Sequence, residues 1–217
     1  MPDRDPGFDA ELESRATDRL TLFSDAVVAI AITLLAIDLP IPDGRTTAVF
    51  LSSVRVNSWD YLAFLITFVS IAGSWSTHHD VFRNTRRVDA RLRQLDMAWL
   101  LMIVLLPFAA RLLGNSAGVS QTVHAFRWGF YALVQTLESG ILLAMLRYMT
   151  ASGLSDGLPE RLVKSVTRQS YTLMAGFGLS IPVLFATSDG WLLWIAVPLA
   201  AHLLRRFRRR SGDQDAD

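Results

Sequence analysis

Apolar residues along this chain gather in long runs separated by short polar connections, rather than alternating with polar ones. A helix rising about 1.5 Å per residue needs about 20 mostly apolar residues to cross roughly 30 Å of hydrocarbon. Six runs reach that length, near Leu20 to Leu39, Trp59 to His79, Gln94 to Leu113, Val123 to Tyr148, Ser165 to Thr187 and Gly190 to Phe207. The pattern predicts an all-α integral membrane protein with six transmembrane helices per chain. Turn-forming residues mark the connections: Pro40 to Gly44, the Arg-rich run Arg83 to Arg93, Gly114 to Gln121, Ala151 to Glu160, and Ser188-Asp189-Gly190. The last is so short that it forces the final two runs into an antiparallel hairpin. Pro107, Pro182 and Pro198 fall inside apolar runs, where neighbouring helices can satisfy the freed carbonyls, so they predict kinks rather than ends. The expected organisation is a polar arm over 1–18, a six-span unit over 19–207 and a tail over 208–217. The arm has no apolar core or small-residue cleavage site, so no cleaved signal peptide is expected.

Charge gives the orientation. If the runs alternate in direction, 17 of the 21 Lys and Arg fall on one side: on the arm, on the second and fourth connections and on the tail. The other side holds Arg45, Arg55, Arg111 and Arg127. Basic residues are retained on the cytoplasmic side, so both termini are expected in the cytoplasm of a cell-membrane protein. The tail cluster Arg205, Arg206, Arg208, Arg209 and Arg210 directly follows a span. It is read as a topological anchor that attracts anionic lipid, not as a nucleic-acid site.

Composition agrees with a membrane protein: 51% hydrophobic residues, 19% charged, and a mean hydropathy of +0.31. The absence of cysteine excludes disulfides, thiol nucleophiles and thiolate metal sites. Three local patterns are set aside. Gly153-Leu154-Ser155-Asp156-Gly157 matches a nucleophile elbow but lies in a polar loop between helices, where that motif has no strand-to-helix turn to act from. Gly176-Phe177-Gly178 resembles a carbonyl filter, yet Met174-Ala175 precede it in a full-length span. Gly176 and Ser180, four apart, instead predict close helix packing. His78 and His79 diverge by about 100° on a helix and have no third ligand at a useful spacing, so no metal is expected.

The first span carries the most chemistry. Ile30, Leu34 and Ile37 share one narrow helical stripe bordered by Thr33, while Asp25 lies roughly 140° away on another face. Periodicity alone also fits ordinary bundle packing for the stripe. An acid inside a span is costly unless it is partnered. Asp25 and the end of the second run lie at matching depth, so an imidazole of His78 or His79, or the Trp75 indole, is expected to serve it, with an arginine as the competing partner. Histidine pairing would also make the region sensitive to cytoplasmic pH. Ser24 either caps this arrangement or bonds its own backbone. The only other mid-span acid singled out is Glu138, read as a relay or as paired with Gln135 or Ser139.

The string Arg19-x-x-x-Phe23-Ser24-Asp25-Ala26-Val27-x-Ala29-Ile30-x-x-Thr33-Leu34-Leu35, with Pro40 shortly after, resembles the signature of the transmembrane-protein-175-type potassium channels, a family with bacterial members. The Trp75-x-x-His78-His79 cluster fits the same likeness. The resemblance implies a homotetramer whose first helices line a central cation pore without a carbonyl filter. It places hydrophobic constrictions at Ile30, Leu34 and Ile37, and a hydroxyl layer linked with potassium preference at Thr33. It also implies a structural and gating motif at Arg19, Phe23, Ser24 and Asp25, with Trp75, His78 and His79 as possible partners. On that reading the protein is no enzyme and needs no cofactor beyond permeant potassium ions. Rings of Ile and Leu would dewet the closed pathway. The rival function is a proton pathway or proton-coupled transporter, which would need ionisable groups at the midplane. A membrane enzyme would need a convergent acid/base or metal cluster, and none is visible in the sequence.

Overall fold

The computed structural model describes residues 6–114, 118–155 and 157–214, with side chains described from 15 to 206 within those stretches. The described chain is helical: α1 (Pro6–Ile37), α2 (Thr47–Val56), α3 (Ser58–Phe82), α4 (Ala90–Arg111), α5 (Gln121–Ser152), α6 (Glu160–Ala186) and α7 (Leu193–Gln214). A 3-10 turn, Ser188–Leu192, joins the last two. Side-chain caps start several of them. Thr46 accepts from the Val49 amide, Asp89 from that of Leu92 and Ser120 from that of Val123, each satisfying an amide the helix leaves free. Helix α5 stops at Gly153, whose φ of 63° is the left-handed conformation that closes a helix and suits a residue without Cβ.

Among the described residues, α1, α4, α5 and α6 are each long and apolar enough to cross a membrane, and α2 with α3 pass together as one span bent by 57°. That makes four, or five with the bent pair. Helix α7 is not among them, because arginines follow its short apolar half. Helix α2 was not anticipated. It lies in the connection after the first apolar run and buries none of its residues. Helix α1 begins at Pro6 and runs continuously into the first span. Pro107, Pro182 and Pro198 lie inside α4, α6 and α7, which continue through them.

Helix α5 forms the centre of the bundle: 61% of its apolar window is buried, against 22% for α1. It packs on α4 and α6, while α1 leans on α3 and α4. Tyr131, Met145 and Leu146 from α5 join Ile71, Trp99, Ile103 and Leu106 in the core. The close approach expected at Gly176 is present. A Cβ there would stand 3.2 Å from the Leu193 carbonyl oxygen, and Ser180 Oγ accepts from Trp194 Nε1 at 2.8 Å, which brings α7 against α6. Gly190 in the turn is similarly tight, since a Cβ would lie 2.9 Å from the Leu184 side chain.

The connections fall on two faces. The Arg86 amide donates to the Leu154 carbonyl at 2.9 Å and Thr85 bridges Ser155, so the loops after α3 and α5 lie together. Both are the basic connections that charge alternation assigns to one side. Asp38 at the end of α1 pairs with Arg111 at the end of α4 at 3.3 Å, on the other side. Asp89, capping α4 in the basic loop, has its carboxyl held below the usual carboxylate range, first by the hydrogen bond from the Tyr148 hydroxyl and then by the Leu92 amide.

Candidate pore face and the polar hub behind it

Helix α1 has two faces because its residues repeat at helical spacing. Ser24, Val28, Ala31 and Leu35 are buried against α3 and α4. On the opposite side Ile30 is 58% exposed, Leu34 45% and Ile37 76%, with Phe23 and Thr33 exposed on the same flank. Small residues, Ala26, Ala29 and Ala36, fill the rest of that bare face. The Thr33 hydroxyl donates to the Ile30 carbonyl at 2.8 Å, so its oxygen keeps acceptor capacity toward the open side. Arg19 is exposed one turn before Phe23.

Behind this face lies a buried polar hub. Ser24 Oγ donates to Asp96 Oδ2 at 2.8 Å and also lies 3.0 Å from its own helix's Leu20 carbonyl, so it bonds its backbone and a different acid rather than capping Asp25. Asp96 Oδ1 meets His78 Nε2 at 2.7 Å, and neither side chain is exposed. A carboxylate can only accept, so His78 Nε2 is the donor to Asp96 Oδ1. The imidazole is sandwiched between Phe82 and Trp99, each centroid 4.2 Å away. Trp99 Nε1 donates to Glu138 Oε1 at 2.7 Å, and Ser74 Oγ bonds the same carboxyl oxygen. A continuous path of hydrogen bonds and stacked rings therefore joins α1, α4, α3 and α5. In hydrocarbon such groups find no water, so each must be satisfied within the bundle.

Several expectations need correction. Asp25 does not meet an imidazole: its Oδ1 accepts from Trp75 Nε1 at 2.7 Å in an exposed setting. His78 points the other way, into the core, and the ring of His79 leans on Trp75 with centroids 5.8 Å apart. Adjacent helical positions diverge too far to serve one carboxylate. The proposed pH route through an Asp25 to histidine pair therefore has no basis. Glu138 pairs with Ser139 at 3.2 Å as expected, but its main partners are Ser74 and Trp99. Gln135 turns instead to Ser70 and Tyr131. Asp96 was missed as a mid-span acid. It sits two residues into the third run, where an acid passes for a solvated helix start, and only the packing of α1 and α3 shows it fully buried. Of the patterns set aside, Ser155 lies in a loop bridge, and Gly178 faces Thr136 within the bundle. Asp156 and the side chains of Arg208, Arg209 and Arg210 lie outside the described residues.

Residues 19–107 match the family model described as the endosomal/lysosomal potassium channel TMEM175. The chain is 27% identical over 186 residues to a potassium channel of Streptomyces collinus, covering 85% of this chain and 86% of that one. It is 35% identical over 120 residues to a potassium channel of Chamaesiphon minutus, 52% of this chain and 59% of the relative. Over residues 19–107 the chain is similar to the TMEM175 family. The fold agrees: a crystal structure titled as a lysosomal potassium-selective channel TMEM175 homolog from Chamaesiphon minutus superposes with a TM-score of 0.68 at 24% identity, covering 86% of this chain and 98% of that one. The matched segment runs from Arg19 to Pro107 and so contains the α1 stripe, the Asp25 to Trp75 contact and most of the hub.

Proposed function

We propose that this chain is a potassium-preferring cation channel of the TMEM175 family in the cell membrane. It assembles as a homotetramer of six-span subunits with both termini in the cytoplasm. The observation that carries this reading is the asymmetry of α1: one face is fixed to its own bundle through Ser24 and Asp96, while Phe23, Ile30, Leu34 and Ile37 stand bare. A bare apolar stripe could face lipid, but the family likeness, with relatives named as potassium channels, favours four copies facing one another. Ile30, Leu34 and Ile37 then form constrictions that exclude water when close, and a ring of Thr33 oxygens replaces part of a cation's hydration shell. Phe23, Ser24 and Asp25 couple helix position to the bundle behind. With so few oxygens, selectivity is modest. The basic loops after α3 and α5, with Arg205, Arg206, Arg208, Arg209 and Arg210, face the cytoplasmic leaflet and its anionic lipid.

The proton-coupled alternative is weaker, because Asp96 and Glu138 are engaged in the hub rather than placed on the bare stripe. Purified protein in a planar bilayer, with potassium and sodium on opposite sides, separates the two. The expected result is a cation current reversing toward the potassium potential. A current that follows only the proton gradient, or none, would overturn the proposal.

A further inference from the structure

Glu138 is 3% exposed, and its carboxyl receives Ser74, Trp99 and Ser139 without any Lys or Arg in contact among the described residues. Beside it is a cavity of about 260 Å³ floored by α5 and walled by α3 and α6. The hydroxyls of Ser70, Thr77 and Ser170 and the Gln169 amide line the polar part, Val69, Leu142 and Leu173 the apolar part, and no lining residue is basic. We propose that this crevice, where a buried carboxyl meets a hydroxyl-lined cavity with an apolar side, is a binding site for a small protonated amine carrying a short alkyl arm, separate from the central pore.

The chemistry selects that class. A carboxylate withdrawn from water with no Lys or Arg in contact is unfavourable, and a cation entering the crevice supplies a direct ion pair. Glu138 Oε2 accepts only from Ser139 among the described residues, so it keeps acceptor capacity for an ammonium donor. The neighbouring hydroxyls and amide can accept the remaining N–H groups. A bare metal ion would leave most of the space unfilled, whereas drug-sized molecules need roughly 300 Å³ or more. An alkylamine of a few carbons matches both the volume and the apolar wall. Gly73 on α3 lines the crevice, and a Cβ there would meet nothing within 4 Å, so a larger side chain can enter the crevice without displacing its own helix bundle.

The test uses full-length protein in nanodiscs of zwitterionic lipid, titrated calorimetrically with n-hexylammonium chloride at constant potassium. Saturable binding at one per chain is expected, weakened about ten-fold or more in Glu138→Gln, where the charge is lost. Because Glu138 also holds the hub, Gly73→Leu is the second variant. It occupies the crevice, leaves Glu138 and its partners in place, and is expected to abolish binding while the potassium current in bilayers stays at the wild-type level. The neutral probe 1-hexanol is expected to give no saturable signal. Absence of saturable binding in wild type, undiminished binding in Gly73→Leu, equal binding of 1-hexanol, or displacement by potassium at equal concentration would each overturn the proposal. Binding is read without current, so these outcomes are independent of whether the channel proposal stands.

Discussion

His78 lies nearly parallel to Trp99, with ring centroids 4.2 Å and planes 7° apart, while its Nε2 holds Asp96. Two partners of His78, Asp96 and Trp99, lie on α4, one turn apart, and both pass the connection on: Asp96 to Ser24 of α1 and Trp99 to Glu138 of α5. His78 thus lies between the α1 contact at Asp96 and the α5 contact at Trp99.

Replacing Asp96 with Leu removes the acceptor of two buried donors, Ser24 and His78, at once. Breaking a buried charged arrangement by removing one partner typically costs about 3–5 kcal/mol, and Asp96→Asn, which keeps one acceptor oxygen, is expected to cost less than half of that. Thermal unfolding of the purified protein checks the order wild type, Asn, Leu. A Leu variant as stable as wild type would show the hub to be dispensable.

The Asp25 to Trp75 contact is exposed, so its contribution is smaller. Asp25→Asn and Trp75→Phe are each expected to lower stability by about 0.5–1.5 kcal/mol, and the double variant by little more than either alone. Asp38→Asn, which loosens an exposed pair with Arg111, should change stability by less than about 1 kcal/mol.

For the pore, Ile30→Asn and Ile37→Asn should admit water into dewetted layers and raise basal cation current several-fold or more. Thr33→Val removes a hydroxyl at nearly constant volume and should shift the reversal potential under opposed potassium and sodium toward equal permeability. Asn variants with wild-type current would return the stripe to a lipid-facing role.

Asp89 provides a pH test outside the membrane. Its carboxyl is held below 3.8 in the folded chain by Tyr148 and the Leu92 amide, so its stabilisation is fully present above that value and is lost as pH falls through the lower folded value. Asp89→Ala should cost about 0.5–2 kcal/mol near neutrality through the lost helix cap, toward the low end because the half-buried group stays in reach of water. The melting-temperature gap between wild type and variant should stay constant down to about pH 5 and close only below the ordinary carboxylate value of about 3.9. A gap that closed between about pH 6 and 7 would point to a different group.

Gly176→Ala should lower stability by about 1–3 kcal/mol, since the added methyl presses on the Leu193 carbonyl oxygen at 3.2 Å. Gly178→Ala meets only Thr136 at 3.7 Å and should be nearly neutral in stability and in ion preference. A loss of potassium preference in Gly178→Ala would revive the carbonyl-filter reading.

The linear pattern was enough for the helical class, most helix positions, and the stripe at Ile30, Leu34 and Ile37, because hydrophobic length and helical period are local properties of consecutive residues. The sharing of one face by the two basic loops followed from counting charge, and the Leu154 carbonyl confirms the pairing of those loops. Partnership was not legible. Asp25 had several donors at matching depth, and the choice of Trp75 over His78 or His79 depends on the rotation of α3 about its axis, which is fixed by packing against α1 and α4. Asp96 looked like a solvated residue at a helix start, and its burial arises only because α1 and α3 close over it. Helix α2 is ten residues long and buries none of them, so it was too short to register among runs of spanning length. Periodicity says which residues share a face of one helix. Which face meets which neighbour is a property of the assembled bundle, where each buried polar group must find its donor or acceptor from another helix.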